Sequence, residues 1–138
     1  MQKLFDLYQQ LYDDGTLSYN EAFTCTGGAK AATIRRDHTH AIFINAELIE
    51  TTAEETCVIA HECGHIETGT THGIYSPLDL IERHEYRANK WAVKRLLPKS
   101  QLVDAITHGT HQRHELAELF NVTEDFISLA IEMYRLAG

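Results

Sequence analysis

The 138-residue chain is long enough to bury a core as one domain (residues 1–138), and its 43% apolar and 23% charged residues are ordinary for a globular protein. Its 12 basic and 20 acidic residues give a formal net charge of −8, and its longest basic run, Arg35-Arg36, is too short to form a phosphate-binding patch. Composition and charge therefore argue against direct binding of nucleic acid, and the chain lacks the run of about 18 apolar residues that a membrane span needs.

The first part of the chain predicts a helix followed by a small sheet. Leucines and tyrosines recur at helical spacing over residues 2–13, which predicts an amphipathic helix that ends at Asp14-Gly15. Two short runs rich in β-branched and apolar residues, AATIRR and AIFIN, flank the segment DHTH. We interpret them as a β-hairpin with its turn near Asp37–Thr39.

Helices dominate the rest of the chain. Thr52 and Glu55 fit a capping box that opens a helix carrying VIAHECGHIETG, which ends near Gly69. After the loop GTTHGIYSP, Ser76-Pro77 opens a long second helix that ends before Pro98. Three shorter helices follow, in the segment that Ser100 caps, in HQRHELAELF, and in TEDFISLAIEMYRL with Thr123 as its cap. The predicted fold class is α+β, mostly helical, with a small antiparallel sheet or hairpin beside the HECGH helix.

The sequence HECGH (residues 61–65) is the strongest chemical signal in the chain. Residues four apart share one face of a helix, so His61 and His65 can turn toward the same ion. Glu62 then lies where it can reach a metal-bound water as a general base, which is the physical basis of the H-E-x-x-H motif. The chain contains nine histidines, however, and HECGH alone leaves coincidence open.

A catalytic zinc needs a third protein ligand, and the long second helix offers two glutamates. Glu85 would complete a His-His-Glu site if this helix returns against the HECGH helix. Asn89, one turn later, is positioned to accept a hydrogen bond from a ligand imidazole. Glu82 lies three residues before Glu85 on nearly the same face and is a rival ligand.

The motifs from the hairpin onward resemble the ImmA/IrrE-type metallopeptidase domain. Its pattern is matched by FIN (43–45), HECGH (61–65), EYRANKWA (85–92) and LLP (96–98), and ELAELFNVTEDFI is similar to its closing pair of helices. The resemblance implies a zincin-like fold that binds one zinc ion. It implies His61, His65 and Glu85 as the ligands, in preference to Glu82, and Glu62 as the catalytic glutamate. Arg87 departs from the family, which often has an acidic residue there.

Other residues could stabilise the transition state, which needs a donor aimed at the developing oxyanion. Tyr75 is the first candidate, and His72 and His38 are alternatives because they fall in loops near the motif or the hairpin. His84 adjoins Glu85 and could equally be solvated.

The cysteines bear on the cellular compartment. Cys25, Cys57 and Cys63 are an odd number and form no CxxC pair, which argues against a disulfide framework. The N-terminal segment lacks the continuous apolar core of a signal peptide. We therefore expect a cytoplasmic protein in which Cys57 and Cys63 pack against apolar residues instead of binding metal.

These features predict a zinc-dependent endopeptidase that hydrolyses a protein with a metal-activated water and Glu62 as general base. An extended substrate is expected to pair with the edge of the hairpin along AIFIN. The family resemblance implies that the substrate is a helix-turn-helix repressor or a similar regulator of phage, mobile-element or stress circuits. The alternative is a metal-stabilised binding module that sequesters such a regulator without cutting it.

Overall fold

The computed structural model describes residues 2–20, 29–71 and 77–136. Over these ranges the chain is α+β and mostly helical, as predicted. The elements in chain order are α1 (Gln2–Asp13), β1 (Leu17–Asn20), β2 (Ala31–Arg36), β3 (Thr39–Ile44), a short 3-10 helix (Ala46–Leu48), α2 (Thr52–Thr68), α3 (Leu78–Leu96), α4 (Lys99–Thr107), α5 (Arg113–Phe120) and α6 (Glu124–Tyr134). No helix among them combines the length and apolar character that a bilayer span requires.

The sheet contains three strands in the order β1-β3-β2. β2 and β3 form the predicted antiparallel hairpin, with Arg36 opposite Thr39 across a two-residue turn. Asp37 in this turn has a φ of 59°, a left-handed conformation that aspartate tolerates, so the turn forms without an Asn-Gly pair. β1 pairs parallel to β3 and was not predicted, because LSYN is short and carries no clear alternation of apolar residues.

The central position of β3 corrects one prediction. The segment AIFIN begins inside β3, which is hydrogen-bonded to a strand on each side, so a substrate cannot add along it. Among the described strands, β1 and β2 each have a neighbour on one side only, and β2 packs against α2. The edge available for strand pairing near the HECGH helix is therefore AATIRR of β2.

The ends of the helices follow the predicted caps closely. Thr51, and not Thr52, caps α2, because its side chain accepts a hydrogen bond from a backbone N–H in the first turn. The helix ends at Gly69, whose φ of 64° fits the predicted C-terminal glycine. The prediction that Ser100 caps α4 is wrong, because this helix begins at Lys99 with Pro98 at the N-cap position, whereas Thr123 caps α6 as predicted.

Helices α2 and α3 approach each other closely at Gly64. A Cβ atom built on Gly64 would lie 2.4 Å from the carbonyl oxygen of Ala88, so only glycine fits there without a shift of the backbone. Ala88 is itself fully buried. The glycine inside HECGH therefore allows the backbone of α3 to lie against α2.

One hydrophobic core takes side chains from all six helices and from β3. Cys63 is buried in this core and Cys57 packs against it, as expected for packing cysteines. Cys25 lies outside the described residues. The largest apolar side chains that are fully buried are Leu7, Leu11, Ile42, Ile59, Val93, Leu96, Leu97, Leu102, Leu116 and Ile127.

Helix α1 is tied to the rest of the fold by polar contacts as well as by its buried leucines. The Lys3 ammonium donates to the carbonyl oxygens of Leu96 and Phe120, at 2.8 and 3.0 Å, at the C-terminal ends of α3 and α5. The Tyr8 hydroxyl donates to a carboxylate oxygen of Glu55 on α2 at 2.6 Å. Helix α1 therefore contacts α2, which carries the HECGH motif, and α3, which packs against α2.

Candidate metal centre

The predicted ligands His61, His65 and Glu85 meet at one point between α2 and α3. Their ligand atoms all lie within 4.8 Å of one another. The Nε2 atom of His61 is 2.7 Å from Oε2 of Glu85 and 3.1 Å from Nε2 of His65. The third separation, from Nε2 of His65 to Oε2 of Glu85, is 3.4 Å. One glutamate from α3 thus faces two histidines from successive turns of α2.

These separations suit a tetrahedrally coordinated ion. Bonds of about 2.0–2.1 Å to zinc place two ligands of a tetrahedron about 3.3 Å apart. The three observed separations, 2.7, 3.1 and 3.4 Å, lie near that value. Two imidazoles and one carboxylate also form a donor set used by catalytic zinc sites. These three residues could therefore hold a metal ion.

Each histidine is oriented by an acceptor at its other ring nitrogen. Nδ1 of His61 donates to Oδ1 of Asn89 at 2.7 Å, the contact predicted for this asparagine. Nδ1 of His65 donates to the carbonyl oxygen of Thr70 at 3.1 Å and also lies 3.2 Å from its Oγ1. Amide and carbonyl oxygens only accept, so Nδ1 carries the proton in both rings. In the neutral imidazoles Nε2 would therefore be free of a proton and could offer its lone pair to a metal ion.

A chain of hydroxyl groups links His65 to the backbone of α2. Oγ1 of Thr68 donates to the carbonyl oxygen of Gly64 at 2.7 Å, so its 2.7 Å contact with Oγ1 of Thr70 must use Thr70 as the donor. The Thr70 oxygen is then left to accept from His65. Thr70 is 1% exposed, and the direction of each proton in this chain is fixed. The sequence did not lead us to predict a role for Thr68 or Thr70. Both flank Gly69, the predicted end of the HECGH helix, and this position could have drawn attention to them.

Glu62 lies beside the cluster and faces the same cavity. It is 6% exposed, and its Oε1 accepts a hydrogen bond at 2.9 Å from Oγ1 of Thr33 on β2. The cavity has a volume of about 370 Å³ and is lined by Ala29, Ala31, Ala32, Thr33, His61, Glu62, His65, Thr71 and Glu85. A carboxylate held beside the ligands in this way has the position that a general base needs. Thr33 was not predicted as a site residue.

The protein groups alone create a strong coupling between His61 and Glu85. Burial lowers the pKa of His61, but the hydrogen bond with Glu85 and the charges of Glu62 and Glu85 outweigh burial and raise that pKa above 6.5. Hydrogen bonds with His61 and then His65 hold the pKa of Glu85 well below 4.5. The acidic groups around His61 therefore stabilise a positive charge at this position, and in the metal-free protein the protonated imidazole supplies that charge.

The other candidates that the structure describes lie outside the cluster. Glu82 is exposed on the outer side of α3 and is not part of the metal-ligand cluster. His38 is exposed in the hairpin turn, and His84 is partly buried outside the cluster. Tyr75 and His72 lie outside the described residues, so the role of Tyr75 stays a prediction.

Comparison with known proteins agrees with this geometry. Residues 22–132, which include both helices that carry the candidate ligands, match the model of the Peptidase M78 family, described as the IrrE N-terminal-like domain. Searches of curated proteins and of solved structures find no significant match. The match confirms the resemblance to the ImmA/IrrE-type domain and supports a hydrolase of the metallopeptidase type. The chain belongs to the Peptidase M78 family of IrrE N-terminal-like domains.

Proposed function

We propose that the protein is a zinc-dependent endopeptidase in which His61, His65 and Glu85 hold the ion and Glu62 is the general base. The observation that carries the proposal is that the three ligand atoms and the buried carboxylate of Glu62 line one cavity. Membership of a metallopeptidase family supports the same reading. Bound zinc would supply a Lewis acid that polarises the scissile carbonyl and lowers the pKa of water.

The protein groups would move the protons. Glu62 takes a proton from the attacking water and passes it to the leaving amine, so one carboxylate serves as base and then as acid. The Thr33 hydroxyl holds one oxygen of this carboxylate, which leaves the second oxygen to exchange the proton. We propose Tyr75, from the segment between α2 and α3, as the donor to the developing oxyanion.

The proposed substrate is a protein, as membership of a peptidase family implies. We propose a helix-turn-helix repressor or similar regulator, and the ImmA/IrrE resemblance supports this choice. An extended segment of it would pair with the edge of β2, because Ala31, Ala32 and Thr33 of that strand line the cavity. The net charge of −8 supports an action on protein without direct contact to nucleic acid. Free thiols at Cys57 and Cys63 support a cytoplasmic location.

The substitution Glu62→Gln separates a peptidase from the alternative, a metal-stabilised binding module. Glutamine keeps the shape of the side chain but cannot take a proton, so we expect unchanged zinc content and a cleavage rate about 10²–10⁴-fold lower. The measurement is the appearance of discrete fragments of a candidate repressor, incubated with each zinc-loaded protein. Binding without fragments in both cases would favour the binding module, and equal cleavage by both would remove Glu62 from the mechanism.

The ligand set has a separate test in two matched variants of α3. Glu85→Ala removes a carboxylate that touches both histidines, so we expect this variant to lose its zinc on dialysis. Glu82→Ala changes an exposed side chain outside the cluster and should keep one ion per chain. The number of zinc ions per chain is measured by elemental mass spectrometry after dialysis. A site emptied only by Glu82→Ala would show that the third ligand is wrongly assigned.

A further inference from the structure

A second cavity of about 330 Å³ adjoins the metal-site cavity. The two share Ala31 of β2 and His61 and Glu62 of α2. The second cavity extends from these residues toward α6 and is lined by Lys30, Ala31, Cys57, Val58, His61, Glu62, Asn89 and Phe126. It therefore opens directly onto the residues that would carry out hydrolysis.

Each polar side chain around this second cavity already makes at least one contact with another side chain. The Lys30 ammonium lies 3.3 Å from a carboxylate oxygen of Glu54, which compensates its charge. Asn89 binds Nδ1 of His61 at 2.7 Å, and Glu62 accepts from a threonine of β2. The surface left for a ligand to contact is therefore mainly apolar.

The apolar wall comes from α2 and α6. Phe126 is 7% exposed and belongs to the core, so it forms a rigid part of the wall. Cys57 packs against the core, and the hydroxyl of Thr123 donates to its sulfur at 3.8 Å. Val58 is partly buried and lies outside the core cluster, so its side chain can contact a ligand. These side chains would accept an aliphatic or aromatic group.

We propose that this cavity is an apolar subsite for the side chain of a substrate residue next to the scissile bond. The proposal rests on the proposed function, because the cavity begins at His61 and Glu62. A substrate segment paired with β2 would pass Ala31, whose small side chain lies at the junction of the two cavities. The preferred substrate is thus a protein segment with Leu, Ile, Val, Met or Phe beside the cleaved bond. An acidic residue is disfavoured there, because Glu54 already neutralises Lys30.

The first test is a profile of cleavage sites in a proteome-derived peptide mixture. The zinc-loaded protein should enrich apolar residues about tenfold or more at one position beside the cleaved bond. Val58→Trp fills the cavity and should shift the preference to Gly or Ala with the zinc content unchanged. Val103→Trp, on α4 and 38% exposed, does not line the cavity and serves as the matched control. The subsite proposal would be overturned if the unmodified protein preferred charged residues beside the cleaved bond, or if Val58→Trp kept the residue preference of the unmodified protein.

The second test measures binding without turnover, so it separates the subsite from the peptidase activity. Peptide hydroxamates with Leu, Gly or Glu beside the chelating group are titrated into the zinc-loaded protein by calorimetry. We expect the leucine compound to bind about tenfold tighter than the glycine compound. Val58→Trp should remove this advantage, and the milder Val58→Thr should reduce it by placing a hydroxyl in the wall. Equal affinities for the leucine and glycine compounds would refute the subsite even if peptides are cleaved.

Discussion

Two contacts on the far sides of the imidazole rings decide how the histidines are held. Among the described residues, Nδ1 of His61 has one acceptor, the amide oxygen of Asn89. Nδ1 of His65 has two, the carbonyl and hydroxyl oxygens of Thr70. Loss of Asn89 would therefore leave Nδ1 of His61 without its acceptor, whereas loss of the Thr70 hydroxyl leaves the Thr70 carbonyl beside Nδ1 of His65.

This difference predicts unequal losses of zinc affinity. Asn89→Leu should weaken zinc binding about 10–100-fold, the usual cost of losing a group that orients a metal ligand. The loss of zinc affinity in Thr70→Val should be at or below the lower end of that range. Thr70→Ser keeps the hydroxyl and should bind zinc as tightly as the unmodified protein. Competition against a chromophoric chelator measures each value. An Asn89→Leu affinity equal to that of the unmodified protein would contradict the anchoring role.

At this scale, the sequence predicted residues that act through local spacing. His61 and His65 share a helix face, and Asn89 follows Glu85 by one helical turn, so both relations could be read from the chain. Thr33 could not be predicted, because it reaches Glu62 across 29 residues and depends on how the sheet packs. Thr70 was missed because the chain around it was interpreted only as a loop.

The crossing of α2 and α3 sets the distance between the histidines and Glu85. Gly64 lies at this crossing, against the backbone of Ala88. Any side chain at Gly64 must push the helices apart and so separate Glu85 from His61. The long helix could be predicted from the prolines near its two ends, but this interhelical distance could not. The strand β1 also escaped prediction, since its stability comes from pairing with β3 and not from a local pattern.

Substitution of Gly64 inside α2 and of Gly69 just after it separates the effect of helix packing from that of backbone strain. Gly64→Ala should destabilise the protein by about 1–3 kcal/mol through overpacking and should also weaken zinc binding. Gly69→Ala places a Cβ in open space at a φ of 64°, so it should cost about 1–2 kcal/mol without affecting zinc binding. Urea unfolding in the presence of a chelator measures the free energy of unfolding, and a separate zinc titration measures the zinc affinity. Normal zinc affinity in Gly64→Ala would contradict the role assigned to the crossing.

The stability of the whole molecule should depend on pH through His61 and Glu85. The raised pKa of His61 stabilises the fold below its ordinary value of 6.5, and this contribution is lost as the pH rises through the folded-state pKa. The lowered pKa of Glu85 stabilises the fold above its ordinary value of 4.5, and this contribution is lost as the pH falls. In metal-free protein, the pair is therefore most stabilising between these two values.

Zinc should reverse the upper part of this dependence. The ion needs His61 without its second proton, so the stabilisation that zinc adds should grow as the pH rises through the raised pKa of His61. The measurement is Tm from pH 4.5 to 8, with chelator and with zinc. Glu85→Gln is the matched variant, and it should abolish the metal-free optimum between pH 4.5 and 6.5. A zinc effect that is constant over this range would contradict the assignment.

Helix α1 lies outside the segment that matches the family, yet it packs against the rest of the fold. The family match begins at residue 22, whereas α1 buries Leu7 and Leu11 and reaches α2, α3 and α5 through Tyr8 and Lys3. A chain cut back to the matched segment would expose the face of α2 that packs against α1. The segment outside the shared domain is thus a place where mutations can adjust the rigidity of the site while leaving its chemical groups unchanged.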